Sequence, residues 1–243
     1  MRIDAKGIYY KDLNDMIHRI IENGEREIIL DNVNGQRYIG AGLKGSDIKI
    51  TIFGTPGNDL ACFMDGPTIV VNSNGQDGIG NTMNSGKIIV YGDAGDITGH
   101  SMRGGKIYIK GDSGYRVGIH MKAYKDLYPI IIIGGSSRDF LGEYMAGGLI
   151  IVLGLNEKDS PVGNYVGTGM HGGKIYIRRN LEDYQLGKEV KKFSLDEKDR
   201  NELNLYLKEY CQDFGLDLEE ILKDEFIKLS PFTHRPYGKL YAY

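Results

Sequence analysis

Met83-Asn-Ser-Gly-Lys-Ile-Ile-Val-Tyr-Gly92, Met102-Arg-Gly-Gly-Lys-Ile-Tyr-Ile-Lys-Gly111 and Met170-His-Gly-Gly-Lys-Ile-Tyr-Ile177 are copies of one phrase. Its anchors fall at Leu43, Met64, Met83, Met102, Met121, Met145 and Met170, in steps of 21, 19, 19, 19, 24 and 25 residues. Three residues before the last five of these sits a glycine: Gly80, Gly99, Gly118, Gly142 and Gly167. A period near 20 residues marks a supersecondary unit that stacks on its neighbours to bury its apolar face.

Within each copy the strand after the glycine alternates. Ile107 and Ile109 take one face, and Lys106, Tyr108 and Lys110 the other. The same parity predicts Ile69/Val71, Ile88/Val90, Ile130/Ile132, Ile150/Val152 and Ile175/Ile177 as the inward set. Ile79, Thr98, Val117, Leu141 and Val166, four before each anchor, form a second inward ladder, and the anchor Met a third. Glycine supplies the corners: 30 of the 35 lie between Gly35 and Gly173. A short coil must turn sharply, and glycine tolerates the backbone that such turns need. The architecture expected is all-β, a parallel β-helix of about seven coils, on the order of 34 Å long at roughly 4.8 Å per rung. Ala61 and Ser73 depart from the glycine slots, so the second coil is expected to turn differently.

Residues 1–31 are predicted to be a strand-helix-strand cap. Asp12 is a candidate N-cap, and Leu13, Met16, Ile17, Ile20 and Ile21 make an apolar stripe that ends at Asn23-Gly24. The helix should lie over the open first coil. Residues 32–180 form the repeat domain, and 181–243 a helical extension. In that extension Ser194 to Phe214 is amphipathic through Leu203, Tyr206, Leu207, Tyr210 and Phe214, a shorter helix follows near Ile221, and an aromatic tail runs from Pro231 to Tyr243.

The net charge of -3 argues against nucleic acid as a partner. Residues 181–225 hold 14 acids and 7 bases, which reads as a solvated terminal segment. Cys62 and Cys211 are too distant for a metal pair and too few for a disulfide framework. The start, Met-Arg-Ile-Asp-Ala-Lys, carries no signal-peptide core and no apolar run reaches membrane length, so a cytoplasmic chain without membrane association is expected.

Two apparent sites have plainer explanations. Gly40-Ala-Gly-Leu-Lys-Gly45 spells G-x-G-x-x-G, yet Ile48 to Ile52 after it reads as a strand, where a dinucleotide site needs a helix. His100, His120 and His171 fall within two residues of an anchor but at different offsets, which favours structural corner histidines over a metal site. No catalytic, cofactor-binding or metal-ligating residue is therefore assigned.

Gly114-Tyr-Arg-Val-Gly-Ile-His-Met-Lys-Ala-Tyr124, Gly142-Glu-Tyr-Met-Ala-Gly-Gly148 and Gly167-Thr-Gly-Met-His-Gly-Gly173 carry a family resemblance over nearly the whole chain. The sequence resembles the Gly-rich (GXGXG) domain at the C-terminal end of the glutamate synthase large subunit, above all its stand-alone archaeal and bacterial version. Formylmethanofuran dehydrogenase, through one of its subunits, is in the same superfamily. The resemblance implies a right-handed β-helix without catalytic residues or cofactors of its own. It implies a structural or assembly role beside a flavin-dependent synthase subunit and a glutaminase-type subunit. The chain agrees in having Arg2 after Met1 where a glutaminase nucleophile would be an N-terminal Cys, and too few cysteines for an iron–sulfur cluster.

Tyr and Arg are enriched where partners dock. The expected interface residues are Tyr115, Arg116, His120, Lys122, Tyr124, Glu143, Tyr144 and His171, with the aromatic tail, and a homo-oligomer is a further possibility. Two alternatives stand beside this: a scaffold of another oxidoreductase such as formylmethanofuran dehydrogenase, and a β-helix enzyme acting on carbohydrate. The second would need acidic clusters along a groove.

Overall fold

The structure, a computed structural model, describes residues 1–157 and 159–232. Strands β1 (Arg2–Asp4), β2 (Glu27–Asn34), β3 (Lys49–Thr55), β4 (Asp65–Val71), β5 (Ser85–Val90), β6 (Lys106–Ile109), β7 (Ile130–Ile133), β8 (Ala146–Val152) and β9 (Gly172–Arg178) pair in parallel, each with the next. Strands β10 (Val190–Ser194) and β11 (Phe226–Pro231) then close the sheet in the order β9-β11-β10, both pairings antiparallel. The result is a β-solenoid of about seven turns, carrying three α-helices among the described residues. The final aromatic residues of the expected tail, beyond Phe232, lie outside the described residues.

The interior is the set of ladders that the repeat predicts. Leu43, Met64, Met83, Met102, Met121, Met145 and Met170 are all buried in one continuous core, together with Ile79, Val117, Leu141 and Val166, and Thr98 in the same ladder is fully buried as well. Helix α1 (Tyr10–Glu22) closes the first coil by burying Leu13 and Ile17 in that core, while Met16 stays exposed. Its N-cap is Tyr9, and Asp12 sits inside the first turn, where a carboxylate favours the positive end of the helix dipole.

One strand is out of the expected phase. Ile131 and Ile133 pair with Ile107 and Ile109 and point inward, whereas Ile130 and Ile132 face outward. Four consecutive isoleucines are apolar in either phase, so alternation cannot choose between them.

The outer sheet face is not solvent. Helix α2 (Glu197–Phe214) covers it, and Leu203, Leu207, Tyr210 and Phe214 bury Tyr108, Ile132, Leu149, Ile151 and Tyr176 in a second core. Helix α3 (Leu218–Leu222) adds Ile221. Helix α2 starts later than the apolar pattern suggests, since Ser194 belongs to β10 and Asp196 is the N-cap, its side chain accepting the Asp199 N–H. The acid surplus of this segment is engaged with the sheet. Glu209 pairs with Lys87 at 2.8 Å and Lys106 at 2.5 Å, and Lys174 pairs with Asp199 at 3.1 Å and Glu202 at 3.0 Å. Lysines at outward strand positions thus neutralise α2, which corrects the expectation of a separate, solvated segment.

Side chains also join the coils at a corner. The carboxylate of Asp93 accepts the Asp112 N–H, and that of Asp112 the Ser136 N–H. In a parallel column Asp77 serves Asp96, Asp96 serves Tyr115 and Asp139 serves Asn164. Each corner acid therefore satisfies a backbone donor on the next coil, which would otherwise be a lost bond at a turn.

Candidate functional site

The side of the solenoid between this corner and the methionine ladder is built from left-handed backbone. In every coil three alternate residues have positive φ: the glycine slot, the residue two before it and the residue two after it. In the fifth coil these are Arg116 (59°), Gly118 (70°) and His120 (55°); in the sixth, Phe140 (66°), Gly142 (68°) and Tyr144 (53°). The N–H groups then alternate in direction. Arg116 and His120 donate forward to Asp139 and Glu143, each at 3.0 Å, and Gly118 donates back to Thr98 at 2.8 Å.

In six of the seven coils the central slot holds glycine, which suits it in space as well as in φ. A Cβ on Gly99 would lie 2.3 Å from Cδ1 of Ile131. Ala61 occupies this slot in the second coil with φ of 59°, so that coil keeps the same left-handed turn despite the expectation that it would differ.

The two flanking columns do not require the residues they hold. Among the described residues, fifteen non-glycine residues have positive φ, and all but Asn32, Lys125 and Arg179 fall in these three slots. An L-residue there costs roughly 1–2 kcal/mol that glycine avoids. Yet the flanking columns carry Tyr38, Phe63, Arg116, His120, Phe140, Tyr144 and Tyr165. Tyr38, Phe63, Tyr144 and Tyr165 are exposed. Strain held on a surface where the fold does not need it points to use.

These side chains stack along the solenoid. The Arg116 guanidinium lies 4.6 Å over the Phe140 ring, which stacks on Tyr165 at 4.9 Å and 14°. Beside this run, His100 meets His120 edge-on at 6.1 Å, and His120 stacks on Tyr144 at 5.3 Å and 10°. Glu143, buried between the two runs, forms an ion pair with Arg116. His100 Nδ1 lies 3.1 Å from Asn81 Oδ1, and Asn81 Nδ2 donates to Asp59 at 3.0 Å. Burial, and then the neighbouring His120, hold the His100 pKa below its ordinary value. Burial pushes the Cys62 thiol up to about 11, so it is protonated and unreactive at neutral pH.

Of the residues named from sequence, Arg116, His120, Glu143 and Tyr144 meet in this cluster. Tyr115 stands at its corner edge, and Lys122 and His171 follow the methionines on the opposite edge. Tyr124 lies apart, in the turn where its N–H and carbonyl pair with Leu127, under the Lys125 ammonium. Phe140, Tyr165, Asn81 and Asp59 were not anticipated. The signal for Phe140 and Tyr165 is the intact Gly-x-Gly-x pattern at Gly78-Ile-Gly80 and Gly40-Ala-Gly42, whose spacing marks the left-handed slots around each central glycine.

Chemically the cluster offers stacking planes, one internal ion pair and imidazoles, without a nucleophile–base pair. Among the described residues no three His, Cys, Asp or Glu side chains gather as a metal-binding group. No helix among them is long and apolar enough to cross a membrane. The larger hollows lie elsewhere, one of about 600 Å³ among Phe193, Arg200, Leu203, Leu222 and Phe226.

A family model described as the GXGXG motif matches residues 9–233. An uncharacterised protein of Methanocaldococcus jannaschii is 51% identical over 251 residues, covering 99% of this chain and 95% of that protein. Among solved structures, a chain of the formyltransferase/hydrolase complex from Methylorubrum extorquens, in complex with methylofuran, superposes with a TM-score of 0.63. That match has 21% identity and covers 86% of this chain and 83% of the other, a likeness of fold.

Proposed function

The chain belongs to the GXGXG-motif family, and on that premise we propose that it is a non-catalytic structural or assembly subunit of a multi-subunit complex of glutamate synthase type. The observation that carries this is the pair of strained, aromatic-rich columns on the left-handed face, Tyr144 and Tyr165 exposed among them. Tyr, Phe, His and Arg set at a conformational cost on a rigid surface suit contact with another protein, and the few residues that dominate binding energy at interfaces are enriched in Tyr and Arg. The interface comprises Tyr115, Arg116, His120, Glu143 and Tyr144, with Lys122, Tyr124 and His171 toward its margins.

The role is mechanical. A continuously bonded solenoid has little internal freedom and holds attached subunits at a fixed separation. In a complex that releases ammonia at a glutaminase-type subunit and consumes it at a flavin-dependent synthase subunit, such spacing limits escape of the intermediate. A second reading, a scaffold in a formyl-transfer complex, is supported by the likeness to the formyltransferase/hydrolase chain.

The test is co-expression of the full chain with the synthase and glutaminase-type subunits of its own host. A stable complex is expected, and His120→Ala with Tyr144→Ala should leave the chain folded while weakening that complex at least about tenfold, since two aromatic anchors of this kind exceed about 1.4 kcal/mol together. A chain that never associates with either subunit overturns the glutamate synthase reading.

A further inference from the structure

Strand β10 ends the sheet, and its far edge is open. The Phe232 N–H donates to Glu189 O at 3.1 Å, so in the β10–β11 register the bonded pairs are Lys191 with Ser230 and Phe193 with Lys228. The β9–β11 pairing agrees, because the Arg179 N–H donates to Glu225 O, a phase that leaves Lys228 and Ser230 to β10. The N–H and C=O groups of Lys192 and Ser194 therefore point away from the sheet, and among the described residues nothing bonds to them. Lysines commonly guard such an edge. Here the Lys191 ammonium lies 4.1 Å over the Phe232 ring and that of Lys192 pairs with Asp183 at 2.7 Å, so both are engaged within the chain. Phe193, beside them, is exposed.

This edge borders the hollow of about 600 Å³. Phe193 and Leu195 lie on the outer face of β10, the side on which Lys228, opposite Phe193, reaches Asp199 of α2. Leu195, Leu203, Leu222 and Phe226 line the hollow and belong to the second core or pack against it, so that core is open at this end. Of the charged residues around it, Lys192, Lys223 and Asp224 are in ion pairs. Arg200 and Glu225, one of each sign, are in none among the described residues. Net charge selects no occupant here; backbone and apolar surface do.

We propose that an extended segment of a partner subunit adds to β10 as a further strand, with apolar side chains at alternate positions entering the hollow. Open main-chain donors and acceptors suit another extended backbone, and a hollow alongside takes every second side chain; these are the two components of recognition by strand addition. A second copy of the chain fits worse. The two-fold register that pairs Lys192 with Ser194 of the other copy uses every open group, but it sets Lys191 against Leu195, an ammonium opposite the apolar lining. The site lies on the outer side of the sheet and does not rest on the reading of the left-handed face.

A blocked peptide in which Leu alternates with Thr is the probe, added to the full chain and read by hydrogen exchange. In the free chain the Lys191 and Phe193 amides should be protected and those of Lys192 and Ser194 open; the peptide should slow exchange at the open pair at least about tenfold. Ser194→Pro removes an edge donor that β11 does not use. It should keep the Lys191 and Phe193 protection and raise the peptide Kd at least about tenfold. Methylating alternate backbone nitrogens of the peptide tests the same bonds with the chain unaltered: one phase should abolish binding and the other leave it. Absence of binding, or binding indifferent to Ser194→Pro and to methylation in either phase, overturns the proposal. Lys192 and Ser194 amides already protected in the dilute free chain would mean that the chain covers its own edge. Protection that grows with protein concentration would mean a second copy, and either result refutes the partner segment.

Discussion

The Tyr210 hydroxyl donates a hydrogen bond of 2.9 Å to the carbonyl oxygen of Ile109. A residue of α2 thereby adds a second donor, beside the Gly134 N–H at 2.8 Å, to a strand carbonyl 101 positions earlier. Gly134, on the next coil, makes this possible: a Cβ there would stand 2.3 Å from the Tyr210 oxygen. The helix and the solenoid are fitted to each other atom by atom, and the first prediction concerns that fit.

Tyr210→Phe should lower stability by about 1 kcal/mol, the usual net worth of one buried hydrogen bond. Gly134→Ala should cost more, because the new methyl displaces the ring and breaks the same bond. Chemical unfolding of both variants checks the order.

The inward and outward assignments give a sharper contrast. Ile109→Asp puts a carboxylate in a fully buried site and should cost several kcal/mol or prevent folding. Lys110→Asp, one residue on and exposed, should change stability by no more than about 1 kcal/mol. Equal losses in urea would refute the parity of β6.

That parity is legible because Lys106-Ile-Tyr-Ile109 alternates cleanly, whereas Ile130 to Ile133 offers no polar residue to fix its phase. The methionine and glycine ladders are legible for the same reason: their spacing repeats. The burial of the outer face is not. Lys87, Lys106 and Lys174 look solvent-facing until acids more than a hundred residues later, or 25 in the case of Asp199, arrive to pair with them. Half of the candidate site is visible as unusual Tyr, Arg and His types. Phe140 and Tyr165 show only through their register with the Gly-x-Gly slots, because positive φ is not written in the letter of a non-glycine residue.

Backbone strain on the left-handed face is itself measurable. Gly99→Ala should cost roughly 1–2 kcal/mol through its left-handed backbone, with the tip of Ile131 having to shift. Ser101→Gly, two residues on at φ of 53°, should be neutral or stabilising by up to about 1 kcal/mol as strain is relieved. Thermal melts that rank the two variants the other way would contradict the strain assignment.

Acidification should act through His100. Its folded pKa is held below the ordinary 6.5 by burial and by His120, so the unfolded chain binds the proton more readily. Its contribution to stability is complete above pH 6.5 and falls as pH drops below that value toward the folded pKa. The melting temperature should decline across this window, and His100→Asn should flatten the decline. An NMR titration of the His100 ring with a midpoint at or above 6.5 would refute the account.

Asp199 secures the other core. Hydrogen bonds from Lys228, Tyr176 and Lys174 outweigh its burial and hold its carboxyl well below the usual carboxylate range. Asp199→Ala takes the buried carboxylate from Lys228 and leaves Lys174 only Glu202, and should cost about 3 kcal/mol, with α2 released before the solenoid melts. Hydrogen exchange that opens α2 and β6 together would show them to be one unit instead.

The corner ladder of Asp77, Asp96 and their kin has an implication for size. Each acid bonds only to the coil that follows, and each coil looks only to its two neighbours. A coil can therefore be gained or lost as a whole, much as a link is in a chain, and the change in length comes in fixed increments of one rung. Whatever is fastened at the two ends sits on a graduated ruler, its separation written in the sequence as an integer.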